Sequence, residues 1–160
     1  MKIGVISDTH LNCSDRRLEE IVENHLKDVD VILHAGDLVC LDVLSVFKGK
    51  DIYAVSGNMD YPEVREVFPG KRIVELGGHR IGLIHGWGAP QGIERKIRAE
   101  FDDDISCLVY GHTHRAANEV MDDVLYFNPG SPTDRRFSPF TSVGILEVGE
   151  MIRGRIIKLK

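Results

Sequence analysis

Residues 108–116 read LVYGHTHRA, a buried-strand run that stops at a glycine and passes straight into two histidines two positions apart. The same arrangement recurs along the chain. "SDTH" follows the strand-like KIGVIS (2–7), "AGD" ends DVILHAGD (30–37), "GN" ends DIYAVSGN (51–58), and "HG" ends KRIVELGGHRIGLIHG (71–86). Polar, metal-binding side-chain types therefore collect where strands finish. In an α/β sheet, ligands bind outside the carboxyl ends of the strands, so residues distant in sequence converge on one crevice. Asp8, His10, Asp37, Asn58, His85, His112 and His114 are expected to meet there.

The segments between these strand ends set the fold class as α/β. DRRLEEIVENHLKD (15–28) spaces Leu18, Ile21, Val22 and Leu26 on one helical face, and CLDVLSVFKG (40–49) reads as a short helix closed by Gly49. The first half is thus βαβαβ, the rhythm of a parallel sheet with crossover helices. After a Pro-bounded loop over 61–70, residues 71–86 read as two strands around a Gly-Gly turn. PQGIERKIRAEF (90–101) reads as a helix opened by Pro90, and ISCLVYG (105–111) as another apolar strand. The last third is hairpin-like, with Asp122-Asp123 and Gly149-Glu150 at the turns. No repeat, low-complexity tract or linker interrupts the pattern, which predicts one domain over residues 1–160.

Composition narrows the setting. Acidic residues outnumber basic ones 25 to 20, for a formal charge of −5. That balance argues against nucleic acid as a main partner, because it lacks the overall basic footprint such binding uses. Phosphate recognition, if present, must be local. No apolar run approaches the roughly 20 residues needed to span a bilayer, and MKIGVIS is too short for a signal peptide, so the expectation is a cytoplasmic protein without a membrane partner. Cys13, Cys40 and Cys107 are odd in number and form no CxxC pair, which fits reduced thiols.

A mixed set of carboxylate, imidazole and amide donors suits first-row divalent metals better than the all-oxygen shells of Ca and Mg. Seven such side chains exceed one tetrahedral ion and point to a pair, the usual device for in-line attack at phosphorus. Two divalent ions contribute about +4, Asp8 and Asp37 about −2 and a bridging hydroxide about −1, leaving roughly +1 to attract phosphate. In GHTH, an intervening residue keeps both imidazoles on one side if the segment stays extended.

The order D-x-H, G-D, G-N, H-G, G-H-x-H resembles the calcineurin-like metallophosphoesterase superfamily, and most closely its small single-domain phosphodiesterase branch. The resemblance runs from residue 1 to about 131. It implies a two-sheet β-sandwich flanked by helices, in four αββα layers. It also implies Asp8, His10 and His114 on one metal and Asn58, His85 and His112 on the other, with Asp37 bridging. Asn58 and His85 are expected to face substrate as well. The expected activity is metal-dependent hydrolysis of a small phosphodiester by a metal-bridging hydroxide, with manganese the favoured cofactor and Fe, Ni, Co or Zn as alternatives. A homo-oligomer is left open.

One position departs from the pattern. Many members of the superfamily carry a histidine after "GN" that protonates the leaving group, whereas this chain reads GNMD, with Met59 there and Asp60 next. Methionine has no proton to transfer. That loss admits an alternative, a protein-binding scaffold on the same fold, like the small subunit of the retromer coat. The intact ligand positions favour the enzyme.

Other residues have plainer readings. His34, just inside a strand, is expected to be a buried structural or supporting histidine, and His25 and His79 solvated. Asp8 and Asp15 fit helix caps. NPGSP (128–132) reads as a turn, Arg135 and Arg136 as a surface charge pair, and the basic tail 153–160 as an edge strand guarded by lysines.

Overall fold

The computed structural model describes residues 1–101 and 104–160. Its elements in chain order are β1 (Lys2–Ile6), α1 (Arg16–His25), β2 (Val31–His34), a 3-10 helix (Leu41–Phe47), β3 (Asp51–Ala54), α2 (Pro62–Val67), β4 (Lys71–Leu76), β5 (His79–Ile84), α3 (Ile93–Arg98), β6 (Cys107–Tyr110), β7 (Ala117–Met121), β8 (Val124–Asn128), β9 (Ser142–Val148) and β10 (Ile152–Lys158). The strands form two mixed five-stranded sheets, ordered β10-β9-β1-β2-β3 and β4-β5-β6-β8-β7.

Strand periodicity sorts the apolar residues into layers. In β1, Ile3 and Val5 point inward with Val31 and Leu33 of β2, meeting Ile81, Leu83, Val109 and Phe127 of the second sheet. Ile6 and Ile32 point the other way, onto Leu18 and Val22 of α1, Leu26 at its C-cap and Phe47 of the 3-10 helix. On the outer face of the second sheet, Leu108, Tyr110 and Tyr126 pack against Ile93 and Ile97 of α3. Each fully buried large apolar side chain contributes about 1.5–3 kcal/mol, so both faces of both sheets are held by burial. The expected helix–sheet–sheet–helix layering is what forms.

The topology also aims the strand ends. Pairs β1–β2 and β2–β3 are parallel in one sheet, and β5–β6 and β6–β8 in the other. Carboxyl ends of strands from both sheets converge along one edge of the sandwich, where Asp8 N–H donates to the Gly36 carbonyl and Gly111 N–H to that of His85.

Several local expectations change. The stretch 61–70, read as a loop, contains α2. Pro62 sits at its first turn, where the missing N–H has no intrahelical acceptor to lose. Helix α3 begins at Ile93 rather than at Pro90, capped by Gly92 in a left-handed conformation. His79 is half-buried rather than freely solvated, with Nδ1 3.2 Å from Ser106 Oγ and Nε2 2.9 Å from the Gly149 carbonyl, tying a hairpin of each sheet to the other. Asp15 does cap α1, accepting from Arg17 N–H at 2.7 Å. The Asp122-Asp123 turn forms with both residues at positive φ, as a two-residue type I′ turn requires.

Candidate metal centre

The loops leaving β1, β2, β3, β5 and β6 bring all seven predicted residues to one place. Among the described residues, two overlapping groups have ligand atoms within 4.8 Å of one another, Asp8–His10–His114 and Asp8–Asp37–His85, and each could hold a metal ion. Asn58 and His112 join the second group, because Asn58 Oδ1 lies 3.2 Å from both His85 Nε2 and His112 Nδ1.

The backbone achieves this by a route that strand alternation does not describe. Among the described residues, eight non-glycine residues have positive φ, and five of them are Asp8, His10, Asp37, His112 and His114. GHTH is therefore not extended. Both histidines sit in the left-handed region, and the pair converges because the chain coils after β6 rather than because it alternates. Such residues cost on the order of 1–3 kcal/mol each and persist only where the surroundings over-determine them.

Those surroundings are visible. Asp60 is buried and accepts N–H bonds from Asp37 (3.1 Å), Val39 (2.6 Å) and Gly57 (2.6 Å), clamping the β2 and β3 loops together. Its carboxylate is thereby fully engaged, which removes it as a stand-in proton donor beside Met59. The glycines of the motifs are places of close approach. A Cβ on Gly57 would collide with the Asp37 carboxylate, one on Gly111 with the Ser7 hydroxyl, and one on Gly36 would come within 2.9 Å of the His85 ring.

Three of the four imidazoles have one nitrogen engaged outside the cluster, which leaves the other facing inward. His85 Nδ1 lies 2.8 Å from the Ala35 carbonyl and His112 Nε2 lies 2.9 Å from that of Gly88. His114 Nδ1 makes a 3.0 Å ion-pair contact with Asp134 Oδ2 that falls short of hydrogen-bond alignment. Inside, His114 Nε2 is 3.1 Å from His10 Nε2 and 3.3 Å from Asp8 Oδ1, and His85 Nε2 is 3.3 Å from Asp37 Oδ2. Asp8 Oδ2 accepts from Ser7 Oγ and His112 N–H, whereas Oδ1 is buried with no hydrogen-bond partner among the described residues. A buried carboxylate oxygen without a donor is costly. It lies beside inward-facing imidazole nitrogens, a donor set that fits a first-row divalent cation.

Charge coupling supports the same picture. Burial alone would raise the Asp8 pKa, but the neighbouring His10 and His114 outweigh it and hold Asp8 below the ordinary carboxylate range. Asp37 is likewise lowered against its burial, mainly by His85. His85, which burial would make less basic, is pushed up to about 9 by Asp37 and Asp8. His34 behaves oppositely. Fully buried, with burial the dominant cause, it is pushed down to about 4, and it meets Thr9 Oγ1 and the Gly36 N–H rather than the cluster. It has the supporting position expected of it.

Sequence reasoning missed Asp134. Its buried carboxylate touches His114 on one side and is gripped by Arg136 through Nε and an Nη nitrogen at 2.7–3.1 Å. Arg136, expected as half of a surface pair with Arg135, instead locks this acid in place and holds its pKa down at about 2. The only local cue is the Asx turn in which Arg136 N–H donates to Asp134 Oδ1. Ser131 of NPGSP also does more than turn, donating from Oγ to the Asp8 carbonyl at 2.8 Å.

Comparison with known proteins agrees with this architecture. The chain is 38% identical over 163 residues to a probable metallophosphoesterase of Methanothermobacter thermautotrophicus, covering 99% of this chain and 92% of that one. It is 31% identical over 144 residues to a phosphodiesterase of Methanocaldococcus jannaschii, covering 81% and 83% respectively. A structurally characterised archaeal phosphodiesterase superposes with a TM-score of 0.77 at 27% identity, over 99% of this chain and 100% of that one. Residues 1–151 match the model of the calcineurin-like phosphoesterase superfamily domain, and the chain belongs to that superfamily.

Proposed function

We propose that this protein is a binuclear-metal-dependent phosphodiesterase, built as one domain over residues 1–160. The observation that carries the reading is the buried Asp8 Oδ1, unsatisfied among inward-facing imidazole nitrogens. Asp8, His10 and His114 would hold one divalent ion and Asn58, His85 and His112 the other, with Asp37 between them and Asp8 close enough to share. Two ions bound there supply Lewis acidity and a deprotonated solvent nucleophile near neutral pH. The chain's own residues do the rest. Asp60 fixes the loops of Asp37 and Gly57, and the contacts to Ala35, Gly88 and Asp134 orient three of the imidazoles. Resemblance to phosphodiesterases supports diesters over monoesters, since the superfamily alone does not choose.

Metal-stripped protein reloaded with Mn, Fe, Co, Ni or Zn, then assayed on bis(nitrophenyl) phosphate and nitrophenyl phosphate, tests this reading. Diester turnover with about two ions per chain is expected. Metal-independent capture of a protein partner without hydrolysis would favour the scaffold alternative.

Met59 adds a second expectation. It occupies the position of a general acid, Asp60 is consumed by three N–H donors, and His34 is buried away from the opening. General-acid help is worth about 10² to 10⁴ in rate and matters most for basic leaving groups. The dependence of kcat on leaving-group pKa should be steep in the parent and flatter in Met59→His. A shallow slope in the parent would show that another group supplies the proton.

A further inference from the structure

The cleft over the candidate metal centre has about 420 Å³ of space, and its walls are unlike those that a small inorganic anion needs. His10, Asp37 and His114 form part of its floor, while Met59, Pro90 and Phe137 supply apolar surface and Arg115 a cation. Met59 and Phe137 are each 55% exposed, although large apolar side chains usually seek burial. Both are anchored at the centre itself. Met59 N–H donates to Asp37 Oδ1 at 2.7 Å, and the Phe137 ring stands edge-on to His114 with centroids 5.4 Å apart. Arg115 Nε donates to the Phe137 carbonyl at 3.0 Å, so ring and guanidinium are presented together. A phosphate seated over the cluster would have an apolar, partly aromatic wall within one ring's width.

We infer that this cleft selects phosphodiesters whose retained arm, the one that does not leave, is planar and aromatic, of nucleoside type, packed on Phe137 and Met59, with Arg115 pairing to a phosphoryl oxygen. Aromatic rings favour edge-to-face or offset contacts with another ring at centroid distances of about 4.5–7 Å, and Phe137 is exposed for such contact. A diester whose retained arm is a small alkyl group would leave that wall wet. The inference rests on the phosphodiesterase reading above and names the substrate class for it.

The test holds the leaving group constant. Methyl nitrophenyl phosphate, phenyl nitrophenyl phosphate and thymidine 5′-nitrophenyl phosphate are compared on the metal-loaded protein, with Phe137→Ala and Phe137→Leu as variants. The two aromatic-arm substrates should exceed the methyl one by about tenfold in kcat/KM, chiefly through KM, which corresponds to about 1.4 kcal/mol. Both variants should pull that ratio toward one. Calorimetry supplies a readout independent of turnover, with thymidine 5′-phosphate binding the parent more tightly than methyl phosphate and losing that margin in the variants. Turnover of all three diesters at equal efficiency, or a ratio unmoved by either variant, would overturn the cleft assignment and leave the phosphodiesterase reading intact. If no diester is hydrolysed with any metal, the phosphodiesterase reading fails, and the calorimetric margin alone decides for or against the cleft.

Discussion

The two halves of the candidate metal centre are built differently. On the side of His10 and His114, the inward-facing nitrogens lie 3.1 Å apart over the buried Asp8 carboxylate, with Asp134 and Arg136 behind. On the side of Asn58, His85 and His112, a neutral amide replaces a charge, Asn58 is exposed, and His112 Nε2 meets the Gly88 carbonyl rather than a carboxylate. One half is charged and rigidly backed. The other is more open, with Asn58 exposed at the cleft whose floor both halves share, which leaves room for a substrate oxygen. The contrast suggests a division of labour, with tight retention of an ion on the closed side and exchange and substrate contact on the open one.

The largest expected effect comes from the residue that joins the halves. Outer contacts to metal ligands are typically worth 10- to 100-fold in affinity or activity, so Asp37→Ala should cost more than about 100-fold in activity and weaken both ions. His10→Ala and Asn58→Ala should each lower the elemental stoichiometry to about one, with the residual ion held more weakly in His10→Ala. Equal residual affinities would erase the proposed difference between the halves.

Asp134→Asn sharpens the comparison with a smaller effect. It keeps the shape of the residue but removes the charge beside His114 Nδ1, so metal affinity should fall by about 10- to 100-fold on the closed side alone. Titration calorimetry resolving two binding steps would show only one of them move. Weakening of both steps would mean that Asp134 supports the loop rather than the ligand.

The smallest effect is on stability against pH. In the metal-free protein, the buried His85 has its pKa raised to about 9 from an ordinary 6.5 by Asp37 and Asp8, against the opposing pull of burial. The folded state therefore binds this proton more tightly than the unfolded chain does. Its contribution, on the order of 3 kcal/mol, is complete below about pH 6.5 and lost as pH rises through about 9. Tm measured in chelator should fall across that window. A metal ligand must be deprotonated, so metal affinity should rise over the same range and offset the loss in loaded protein. A flat Tm in chelator would show that His85 holds no extra proton.

The sequence was most informative where physics is local or periodic. The short apolar runs of β1 and β2, the spaced apolar residues of α1 and the Gly-Gly and Asp-Asp turns each depend on a few neighbours, and each was legible. So was the convergence of the seven polar residues, because chain order and strand polarity force those strand ends together. Short elements were less visible. With six residues each, α2 and α3 hold little periodicity, and tertiary packing of Val64, Ile93 and Ile97 decides them.

What the chain by itself determined is the ligand inventory, the sheet-and-helix order and the edge of the sandwich on which they meet. Only the tertiary structure decided how the ligands are held there. The left-handed backbone at Asp8, Asp37, His112 and His114 is imposed by contacts between residues distant in sequence, such as Asp60 with Val39 and Asp8 with the His112 N–H. No intrinsic propensity favours that conformation in histidine enough to announce it. Likewise Asp134 reaches His114 from a loop 20 positions away, and Asp60 is an anchor rather than an acid because three N–H groups from two loops point at it. Residue type proposes chemistry, but the partners that consume or free each polar atom exist only after the sheets have packed.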